Sequence, residues 1–582
     1  MKQSKLALWV LVAAVLALAV RLPLQANERA TVYRTIDPVI DASHLVSRFY
    51  YELPDPEVLS QGAIEGMLEA LEDPYTEFIP AADLQEFNKQ VQGNFVGIGA
   101  RVRAQDGFVL IFTPMPDSPA LKAGIQAGDI VVGVDGTSTY DMALTDVIGM
   151  LTGEPGTIVT VTIEREGQIR PEGMGKPSVQ GEIEVESGET APAVKDGHVR
   201  FDVEVTRAAI KTPTVSGIHR DDQGDWTWLV DPERRIAYVR LAQFTPGTIQ
   251  ELKQLHDTLT AEADLSGLIL DLRFNSGGAL EAAIAMSDLF LSQGTIVTVR
   301  GRGTGQQTVS AQPEDTLPDI PMAVLVNGDS ASASEIVAGA LSDNNRAVII
   351  GERTFGKGLV QGIFPLPSGE GQLKLTQGRY YLPSGRLLQR EDDSTEWGVD
   401  PTPGFYVPMT PEEYRDLQEV QFDEEVIRPV GSTTVGNEAD WNDSAWILEH
   451  FKDPQLSVAV EAIRTRVLTG QWQAPSNDEA TQDEFANMSS KEITNLQRGR
   501  DALLRQLEIV EKRITALALV STSDADDERD LWDDAIALEG GSIQLFDADG
   551  NPVTTLRITS NTLERWLADA PVEPVEASDE GE

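Results

Sequence analysis

Apolar residues recur at helical spacing in two stretches near the start of the chain. The first runs from Ile36 to Tyr50 and the second from Leu59 to Leu71. Intervals of three and four residues place such side chains on one face of an α-helix. The pattern therefore predicts a helical region over residues 27–93, whose helices pack between domains.

Short apolar runs separated by glycines replace this pattern over residues 94–166. Such runs are typical of strands joined by tight turns, so we expect a β-rich domain with one or two helices. The next segment, residues 167–200, is rich in Gly, Pro, Glu and Ser and has little periodicity, which indicates an inserted loop. The runs that predict the β-rich domain are Asn94–Val102, Phe108–Phe112, Asp117–Gly124 and Ala127–Gly136.

Predicted strands and helices alternate over residues 201–408. This order is typical of an α/β core, so the whole chain is predicted to be a multidomain α/β protein. The expected strands are Ile236–Leu241, Gly267–Arg273, Met322–Val326 and Ala347–Ile350, and the expected helices are Gly247–Leu259, Leu280–Leu291 and Ser334–Leu341.

The chain becomes helical and acidic beyond residue 408. Residues 409–470 are expected to complete the core as helices, and residues 471–582 to form an acidic helical extension. One apolar stripe in the extension indicates either a packing helix or a coiled-coil seam. Its residues are Leu503, Leu507, Val510, Ile514 and Leu517.

The end of the extension predicts a β-hairpin over Gly540–Thr559 and a disordered acidic tail from Val572 to Glu582. Asp547, Asp549 and Asn551 in the hairpin turn resemble the start of a calcium loop, but no glutamate follows at its twelfth position. We therefore expect no metal there.

The first 26 residues form a separate segment. Lys2 and Lys5 precede an apolar run from Leu6 to Val20, which Arg21 ends. A basic start before an apolar run shorter than the ~20 residues of a membrane span is typical of a signal peptide. Residues 1–26 are thus predicted to be a signal peptide or an uncleaved membrane anchor, and either places the rest of the chain outside the cytoplasm.

Composition narrows the function classes. The 582 residues suffice for several domains with a large core, and 41% of them are hydrophobic. The formal net charge of −47, from 93 acidic and 46 basic residues, would repel nucleic acids and anionic membrane surfaces. The absence of cysteine excludes disulfides and thiol catalysis.

Ser332 and Lys357 carry the strongest chemical signal. Ser332 stands in a Ser/Ala-rich turn before an expected helix, where free N–H groups such as that of Ala333 can bind an oxyanion. Lys357 stands between two glycines, a poor setting for a helix or strand, so a site explains it better. None of the five histidines lies near this motif, and a serine–lysine pair is a known variant of the serine triad. The alternative is that Ser332 only caps the helix together with Glu335.

The sequence resembles the carboxy-terminal processing peptidases, or tail-specific proteases, over residues 35–470. Four segments carry the resemblance in the family's order, and a further match is the turn Asp73–Phe78, which follows the second predicted helix. The four segments are a PDZ-like segment, Asp271–Gly278 (DLRFNSGG), the run SASASE ending at Glu335, and Gly356–Gln361 (GKGLVQ).

The resemblance implies a crotonase- or Clp protease-like α/β peptidase core in residues 201–408 with a PDZ domain inserted at residues 94–166. It also implies that Ser332 is the nucleophile, that Lys357 is the general base and that Gln361 holds the lysine in place.

The remaining elements of the implied site are backbone groups. The N–H of Ala333 is the expected oxyanion donor. Gly277 and Gly278, at a strand-to-helix turn, are expected to form a backbone wall beside the scissile carbonyl; the alternative is that they serve only ordinary turn geometry. Gly301 or Gly303 is the candidate for a second donor, and nothing in the sequence decides between them.

The PDZ-like segment implies a peptide-binding loop made of Gly97, Ile98, Gly99 and Ala100. PDZ domains add a peptide as an extra strand and hold its terminal carboxylate on backbone N–H groups. Ala100 is smaller than the usual apolar residue at the end of this loop, which would widen or weaken the pocket. The alternative is that the glycines only serve a tight turn.

Three residues qualify the resemblance. Phe274 and Ser276 stand where many members of the family have Gly and Pro, which affects the expected shape of that loop. Asp343 matches an acidic position near the site in some relatives, and we assign it a supporting structural role.

The resemblance implies a serine endopeptidase, and the segment at residues 1–26 predicts that it is exported to the periplasm or the outer face of the cytoplasmic membrane. It would recognise proteins with apolar C-termini, cleave near those tails, and need no cofactor or metal. Some relatives dimerise through the N-terminal helical region, so a homodimer is a further expectation. The alternative is a catalytically silent PDZ scaffold or adaptor of the cell envelope, which the intact set of Ser332, Lys357 and Gln361 disfavours.

A catalytic lysine places a demand on its surroundings. A free lysine has a pKa of ~10.4, and lowering it by ~3 units corresponds to roughly 4 kcal/mol. Burial disfavours the charged form, so we expect Lys357 in a mostly apolar pocket nearly free of carboxylates. Gln361, four residues later in a strand-like run, is expected on the same face as Lys357.

Overall fold

The computed structural model describes residues 36–84, 87, 93–166, 198–221, 223–303, 305–392, 394–428, 443–474, 500, 504, 507, 510, 512, 542–546, 552–558 and 572–574. The chain divides into two units, Met1–Asp478 and Glu479–Glu582, and each is described by itself. No helix among the described residues is long and apolar enough to cross a membrane. The predicted signal or anchor segment, residues 1–26, lies outside the described residues.

Two helices begin the described chain, α1 over residues 36–49 and α2 over Pro56–Glu69. The Asp55 carboxylate accepts a hydrogen bond from the Glu57 N–H at the start of α2, as helix N-termini require. Their apolar side chains are largely exposed, with Phe49 70% exposed. The predicted helices are therefore confirmed, but the expected packing between domains is not found within the described residues.

The predicted helical region also contains a strand, β1 (Glu77–Pro80). It pairs antiparallel with residues 371–374 of the core, from Glu77 opposite Lys374 to Pro80 opposite Gly371. Tertiary hydrogen bonding therefore draws this segment into a sheet, which the helical pattern around it did not reveal.

The β-rich domain is a sheet in the order β3-β4-β5-β7-β8, with β6 on β5 and with β3 at one edge. A separate antiparallel pair, β2 with β9, connects the segment that enters this domain to the segment that leaves it. The strands are β2 Asn94–Gly97, β3 Ala100–Gln105, β4 Phe108–Pro114, β5 Ile130–Val134, β6 Thr137–Ser138, β7 Ile158–Glu166, β8 His198–Thr206 and β9 Ala208–Lys211, and the helices are α3 Pro119–Lys122 and α4 Leu144–Leu151.

The position of β8 corrects two predicted boundaries. β8 follows the inserted segment, yet it pairs antiparallel with β7 along its whole length, from Ile158 opposite Thr206 to Glu166 opposite His198. Phe201 and Val203 on β8 are buried in the same apolar core as β7. The boundaries at 166 and 201 are therefore wrong, because the insertion interrupts the β-rich domain between two neighbouring strands.

The α/β prediction for the core is confirmed by a sheet whose central strands run parallel in the order β14-β15-β18-β19. Every residue of β18 is buried, as expected for a parallel strand covered on both faces. Two short strands, β10 and β13, pair antiparallel with β14. The elements are β10 Val215–Ser216, β13 Leu229–Asp231, β14 Ile236–Leu241, β15 Gly267–Asp271, β18 Met322–Val326, β19 Val348–Gly351, α5 Thr248–Thr260, α6 Leu280–Phe290 and α7 Ala333–Asp343.

A second core sheet has the order β1-β21-β16-β17, with β20 also on β21. The predicted C-terminal helices of the core are present, and α10 packs in the apolar cluster behind the parallel sheet. The remaining elements are β11 His219–Arg220, β12 Trp226–Thr227, β16 Thr295–Gly301, β17 Gly305–Ser310, β20 Leu359–Pro365, β21 Gly371–Tyr381, α8 Pro411–Glu424, α9 Ser444–Trp446 with a π-helical continuation Ile447–Phe451, and α10 Pro454–Thr469.

The second unit contains the predicted hairpin, β22 (Ser542–Phe546) with β23 (Pro552–Ile558). A third strand, β24 (Val572–Pro574), pairs with β23, so the tail predicted to be disordered begins as a strand. Leu507 and Val510 of the apolar stripe are helical and exposed, and the other stripe residues lie outside the described residues. The calcium-like turn at 547–551 lies outside them too.

Candidate active site

Ser332 lies between parallel strand β18 and helix α7, at the edge where the carboxyl ends of the parallel strands meet. Its φ of 54° and ψ of −110° are unusual for a residue with a side chain. Such a conformation costs about 1–3 kcal/mol and persists only where the surroundings impose it. The turn before it supplies that constraint, because the Ala331 N–H donates to the Asn275 carbonyl and Ser330 Oγ donates to the Leu272 carbonyl at 2.8 Å.

Gly277 and Gly278 lie against this turn with φ values of 105° and 140°. A side chain at Gly277 would begin 2.9 Å from Ser332 Cβ, and one at Gly278 would begin 2.0 Å from the Phe244 carbonyl oxygen. Only glycine fits either position. The structure thus places Gly277 of the predicted backbone wall directly beside Ser332, and Gly278 against Phe244.

The N–H groups around Ser332 differ in their availability. The Gly277 N–H donates to Asn275 Oδ1 at 2.9 Å and is therefore occupied. The N–H groups of Ala333 and Gly278 have no acceptor within the described part of the chain. Ala333 opens α7, where helix N–H groups lack intrahelical partners. Gly278 thus joins Ala333 as an available donor.

Gly301 and Gly303 do not lie in this turn. Gly301 ends β16 opposite Gly305 of β17, and the backbone of Arg300 and Gly301 lies against Gly378 of β21. Gly303 lies in the turn of the same hairpin, with open space around it. Neither glycine is brought against Ser332 by any contact of the described residues.

Glu335 joins the nucleophile turn to the lysine loop. Its carboxylate is fully buried and accepts four hydrogen bonds. Oε1 accepts from Thr354 Oγ1 and the Gly356 N–H at 2.6 Å each. Oε2 accepts from the N–H groups of Ser332 and Lys357 at 2.8 Å each. One carboxylate oxygen therefore holds the backbones of both candidate catalytic residues.

The capping interpretation of Glu335 is thus correct but incomplete. Its acceptance from the Ser332 N–H is half of the predicted Ser-x-x-Glu cap. The bonds to residues 354–357 depend on a loop that follows the next strand, so spacing could not reveal them. Burial raises the pKa of Glu335, while the hydrogen bonds from its four donors oppose that shift.

Lys357 lies in the loop between β19 and β20 and is half-buried. Burial lowers its pKa, and the charge of Lys374 lowers it further. Glu335, Glu77 and Asp73 raise it. The lowered pKa expected for a lysine base is therefore present. The expectation of a pocket nearly free of carboxylates is wrong, because Asp73 and Glu77, which pairs with Lys374, both lie near enough to raise the pKa of Lys357.

The Lys357 side chain points to Tyr75, a residue of the matched turn Asp73–Phe78 for which the sequence indicated no role. Its Nζ lies 4.7 Å from the centroid of the Tyr75 ring, within the range of a cation–π contact. No hydrogen bond among the described residues joins this amine to Ser332 Oγ or to Gln361. The structure thus brings the backbones of Ser332 and Lys357 together without joining their side chains.

Gln361 lies on β20, and its Nε2 is buried without a hydrogen-bond partner in the described chain. The prediction that Gln361 and Lys357 share one face of a strand is wrong. The strand begins only at Leu359, and its register shifts between Val360 and Gln361.

A buried ionic network fixes the base of the glycine turn. Arg273 donates to Asp271 at 2.6 Å and to Asp453 at 2.7 Å, and all three side chains are buried. Tyr238 also donates to Asp271, at 2.7 Å. Burial alone would raise the pKa of Asp271, but the charge of Arg273 lowers it. Sequence reasoning missed Asp453, whose only signal is its place as the cap before Pro454.

Phe274 keeps the loop shape although it replaces a glycine of the family pattern. Its φ of 59° is in the left-handed region, and its N–H donates to Asn327 Oδ1 at 3.0 Å. Its ring meets that of Tyr414 edge-on, with 5.6 Å between centroids. Side-chain packing therefore accompanies the strained backbone. Ser276, the other departure, is exposed.

Asp343 lies at the wrong end of α7 to act near Ser332. The helix runs from Ala333 to Asp343, about 1.5 Å per residue, so the two ends are about 15 Å apart. Asp343 Oδ2 instead accepts from the Ser384 N–H at 2.8 Å. Its supporting structural role stands, but its predicted place beside the site is wrong.

The four predicted peptide-loop residues connect β2 to edge strand β3. Gly99 has a φ of 75°, and a side chain there would begin 2.5 Å from Ser118 Cβ. Ile98 is buried, and its carbonyl accepts from the Ala120 N–H at 2.8 Å. Ala100 opens β3, which pairs only with β4 among the described strands. The outer edge of β3 can therefore accept another strand.

The β-rich domain contacts the core through Glu425, just after α8. Its carboxylate pairs with Arg101 of β3 and with Arg240 of β14. Phe112 of β4 also meets Phe422 of α8, with ring centroids 4.8 Å apart. A cavity of about 720 Å³ lies at this junction, and Phe274 from the candidate active site is among the residues that line it.

Comparisons with known proteins match this arrangement in three places. The family models for peptidase family S41, the PDZ domain and the N-terminal domain of the activating protease CtpB match residues 235–403, 111–165 and 18–82, respectively. The chain is 34% identical over 395 residues to a carboxy-terminal-processing protease of Bartonella bacilliformis, covering 67% of this chain and 79% of that protein.

Two further relatives have similar names. The carboxy-terminal processing protease CtpA of Bacillus subtilis is 30% identical over 398 residues, which cover 67% of this chain and 76% of that protein. Among solved structures, the photosystem II D1 C-terminal processing protease matches with 27% identity and a TM-score of 0.35, covering 67% of this chain and 98% of that chain.

Proposed function

Because the chain belongs to peptidase family S41, as a serine-type carboxy-terminal-processing protease with a PDZ domain, we propose that Ser332 is its nucleophile and Lys357 its general base. The observation that carries this assignment is the shared acceptor, Glu335 Oε2, which takes the N–H groups of both residues at 2.8 Å. A cap alone would not need the second bond.

The proposed reaction is hydrolysis of a peptide bond through an acyl-enzyme. Ser332 Oγ attacks the scissile carbonyl while the neutral Lys357 amine takes its proton and passes it to the leaving amine. Water then attacks the acyl-enzyme with the same amine as base. Burial of Lys357 supports this role, since it lowers the pKa toward the neutral form.

The oxyanion is proposed to lie between the N–H groups of Ala333 and Gly278. Both groups are available, and Gly277, the chain neighbour of Gly278, lies against Ser332 Cβ and the Ala333 nitrogen. Preorganised N–H donors of this kind stabilise the charge that develops on the carbonyl oxygen. Gln361 is proposed to hold the neutral lysine once the site assembles.

Protein substrates with apolar C-termini are the proposed targets. The loop Gly97–Ala100 would hold the terminal carboxylate while the tail adds to the free edge of β3. Ile148 on α4, 40% exposed, is the proposed apolar wall of the pocket, since the Leu151 carbonyl at the end of this helix lies near Gly97. The cavity at the domain junction, which Arg103 of β3 and Phe274 both line, is proposed as the path of the bound tail toward Ser332.

Export and pairing of two copies are also proposed. Residues 1–26 support transfer out of the cytoplasm, to the periplasm or the outer face of the cytoplasmic membrane, as a signal peptide or an anchor. The exposed apolar side chains of α1 and α2, such as Phe49 and Val58, support a homodimer through the N-terminal helices. Leu71, just past the end of α2, is 58% exposed as well.

One assay tests the catalytic proposal against the silent scaffold. The full chain is incubated with an unstructured protein that ends in an apolar residue, and cleavage is followed by mass. Ser332→Ala, Lys357→Ala and Lys357→Arg should each abolish cleavage, because arginine stays protonated. The matched control is Lys452→Arg, an exposed lysine paired with Asp416, which should cleave normally. Cleavage by Ser332→Ala at the unmutated rate would contradict the proposal.

A further inference from the structure

The turn that follows the N-terminal helices reaches the candidate base. Tyr75 lies in this turn, and its ring centroid is 4.7 Å from Lys357 Nζ. The ring comes from a segment almost three hundred residues away in sequence, so the contact depends wholly on the tertiary fold. Neither chemical step of the proposed hydrolysis uses it.

Hydrogen bonds fix the backbone of the turn that carries the ring. Asp73 Oδ1 accepts from the Tyr75 N–H at 3.0 Å, and Asp73 Oδ2 accepts from Thr76 Oγ1 at 2.7 Å. Thr76 Oγ1 in turn accepts from the Thr376 N–H at 3.2 Å. The chain then enters β1 on β21. Thr376 lies opposite Gln361 in the ladder of β20 with β21, so the same anchor fixes Tyr75 relative to Gln361.

The chemistry of the ring favours one form of the lysine. An aromatic face attracts an ammonium but gains little from a neutral amine. The side-chain amide of Gln361, which the proposed function assigns to the lysine, has a buried Nε2 without a partner in this part of the described chain. The lysine is therefore in contact with Tyr75 at a time when Gln361 is unengaged.

We propose that Tyr75 is a positioning residue for Lys357, whose ring holds the protonated lysine away from Ser332 and Gln361 until proton loss releases the amine. The inference rests on the proposed function of Lys357 and adds a resting partner for it. It also links the N-terminal segment to the catalytic base, because the ring moves with the turn that joins α2 to β1.

Among the described residues, four charged groups influence the titration of Lys357 besides the Tyr75 ring. Glu335 faces it from α7, Glu77 and Lys374 from β1 and β21, and Asp73 from the turn. Glu77 and Lys374 pair with each other at 2.8 Å, so their charges largely offset. Replacing the Tyr75 ring leaves all four groups in place. A change in the titration of Lys357 would therefore report the ring itself.

The test compares Tyr75→Phe, which keeps the ring, with Tyr75→Leu, which keeps apolar cover without a ring. The pH dependence of kcat/KM is measured on the unstructured substrate. Since the ring stabilises the ammonium, its loss should move the rising limb of the profile of Tyr75→Leu to lower pH by about 0.5–1 unit. On the acid side of the limb this is a gain in rate of about 3- to 10-fold. Tyr75→Phe should follow the unmutated enzyme.

Controls separate this inference from the proposed function. Tyr51→Leu removes an exposed tyrosine of the same N-terminal region and should leave the profile unchanged. Tyr75→Met supplies a second ring-free side chain if the Leu variant does not fold, as judged by thermal unfolding. An unshifted limb in a folded ring-free variant, or a uniform loss of rate at all pH values, would overturn the role of Tyr75. If the unmutated enzyme shows no cleavage that depends on Ser332, the proposed function is overturned instead.

Discussion

Replacing Glu335 by glutamine is the sharpest test of how the site is assembled. The carboxylate accepts four hydrogen bonds, two on each oxygen. Glutamine keeps one acceptor oxygen, so two of the four donors lose their partner and face an amide N–H₂ instead. At about 1.5–3 kcal/mol for each hydrogen bond to a charged group, the loss is about 3–6 kcal/mol.

Part of this loss is offset. Glu335 is fully buried, and removing a buried charge recovers some of its desolvation cost. We therefore expect a net destabilisation of about 2–4 kcal/mol. Much of it should appear locally, because two of the donors are the N–H groups of Ser332 and Lys357.

The expected kinetic result is a fall in kcat of at least about 100-fold, equivalent to about 2.7 kcal/mol. KM should change little, because a fully buried carboxylate does not touch the substrate. Both constants are measured on the unstructured substrate, together with thermal unfolding. The matched control is Glu413→Gln, since Glu413 is the equivalent residue of the capping box at Thr410 and lies exposed on α8.

Two outcomes would refute the reasoning. Normal kcat in a folded Glu335→Gln enzyme would show that the shared carboxylate does not hold the pair. An equal loss in Glu413→Gln would show that helix capping, rather than the link to residue 357, explains the effect.

Three further predictions concern the base Lys357, the backbone wall at Gly278 and the peptide-binding loop of the β-rich domain. Cleavage should rise with pH, because the neutral Lys357 amine is the base. Burial lowers the pKa of Lys357 in the folded chain below its ordinary value of 10.5, so the folded state loses stability relative to the unfolded chain as the pH falls through the pKa of the folded state. Lys357→Met should therefore be inactive but unfold at a higher temperature at pH 7. Gly278→Ala should lose both stability and activity in unfolding and cleavage assays, because the new Cβ would begin 2.0 Å from a carbonyl oxygen, whereas Gly303→Ala has open space and should lose neither. Amidating the C-terminus of the substrate should lower the cleavage rate, because the loop Gly97–Ala100 would lose its carboxylate; equal rates for both substrates would exclude this loop as the reader.

Local patterns were sufficient to predict much of this protein. The parallel strands β14, β15, β18 and β19 were identified because buried parallel strands form continuous apolar runs, which a sequence displays directly. The helix after Ser332 was identified for a similar reason, since its cap and its apolar residues are neighbours in the chain. The motifs around Ser332 and Lys357 and in the β-rich domain likewise resembled a peptidase family with a peptide-binding domain, and the comparisons confirm that family.

The long-range arrangement of the site depended on the tertiary structure. Nothing in the local sequence indicates that Glu335 reaches residues 354–357, that Asp453 completes the Arg273 network, or that Tyr75 lies against Lys357. The return of β8 to the sheet after a long insertion was hidden for the same reason. Hydrogen bonds, ion pairs and ring contacts act over a few ångströms of space regardless of separation along the chain, so only the folded structure decides which distant residues they join.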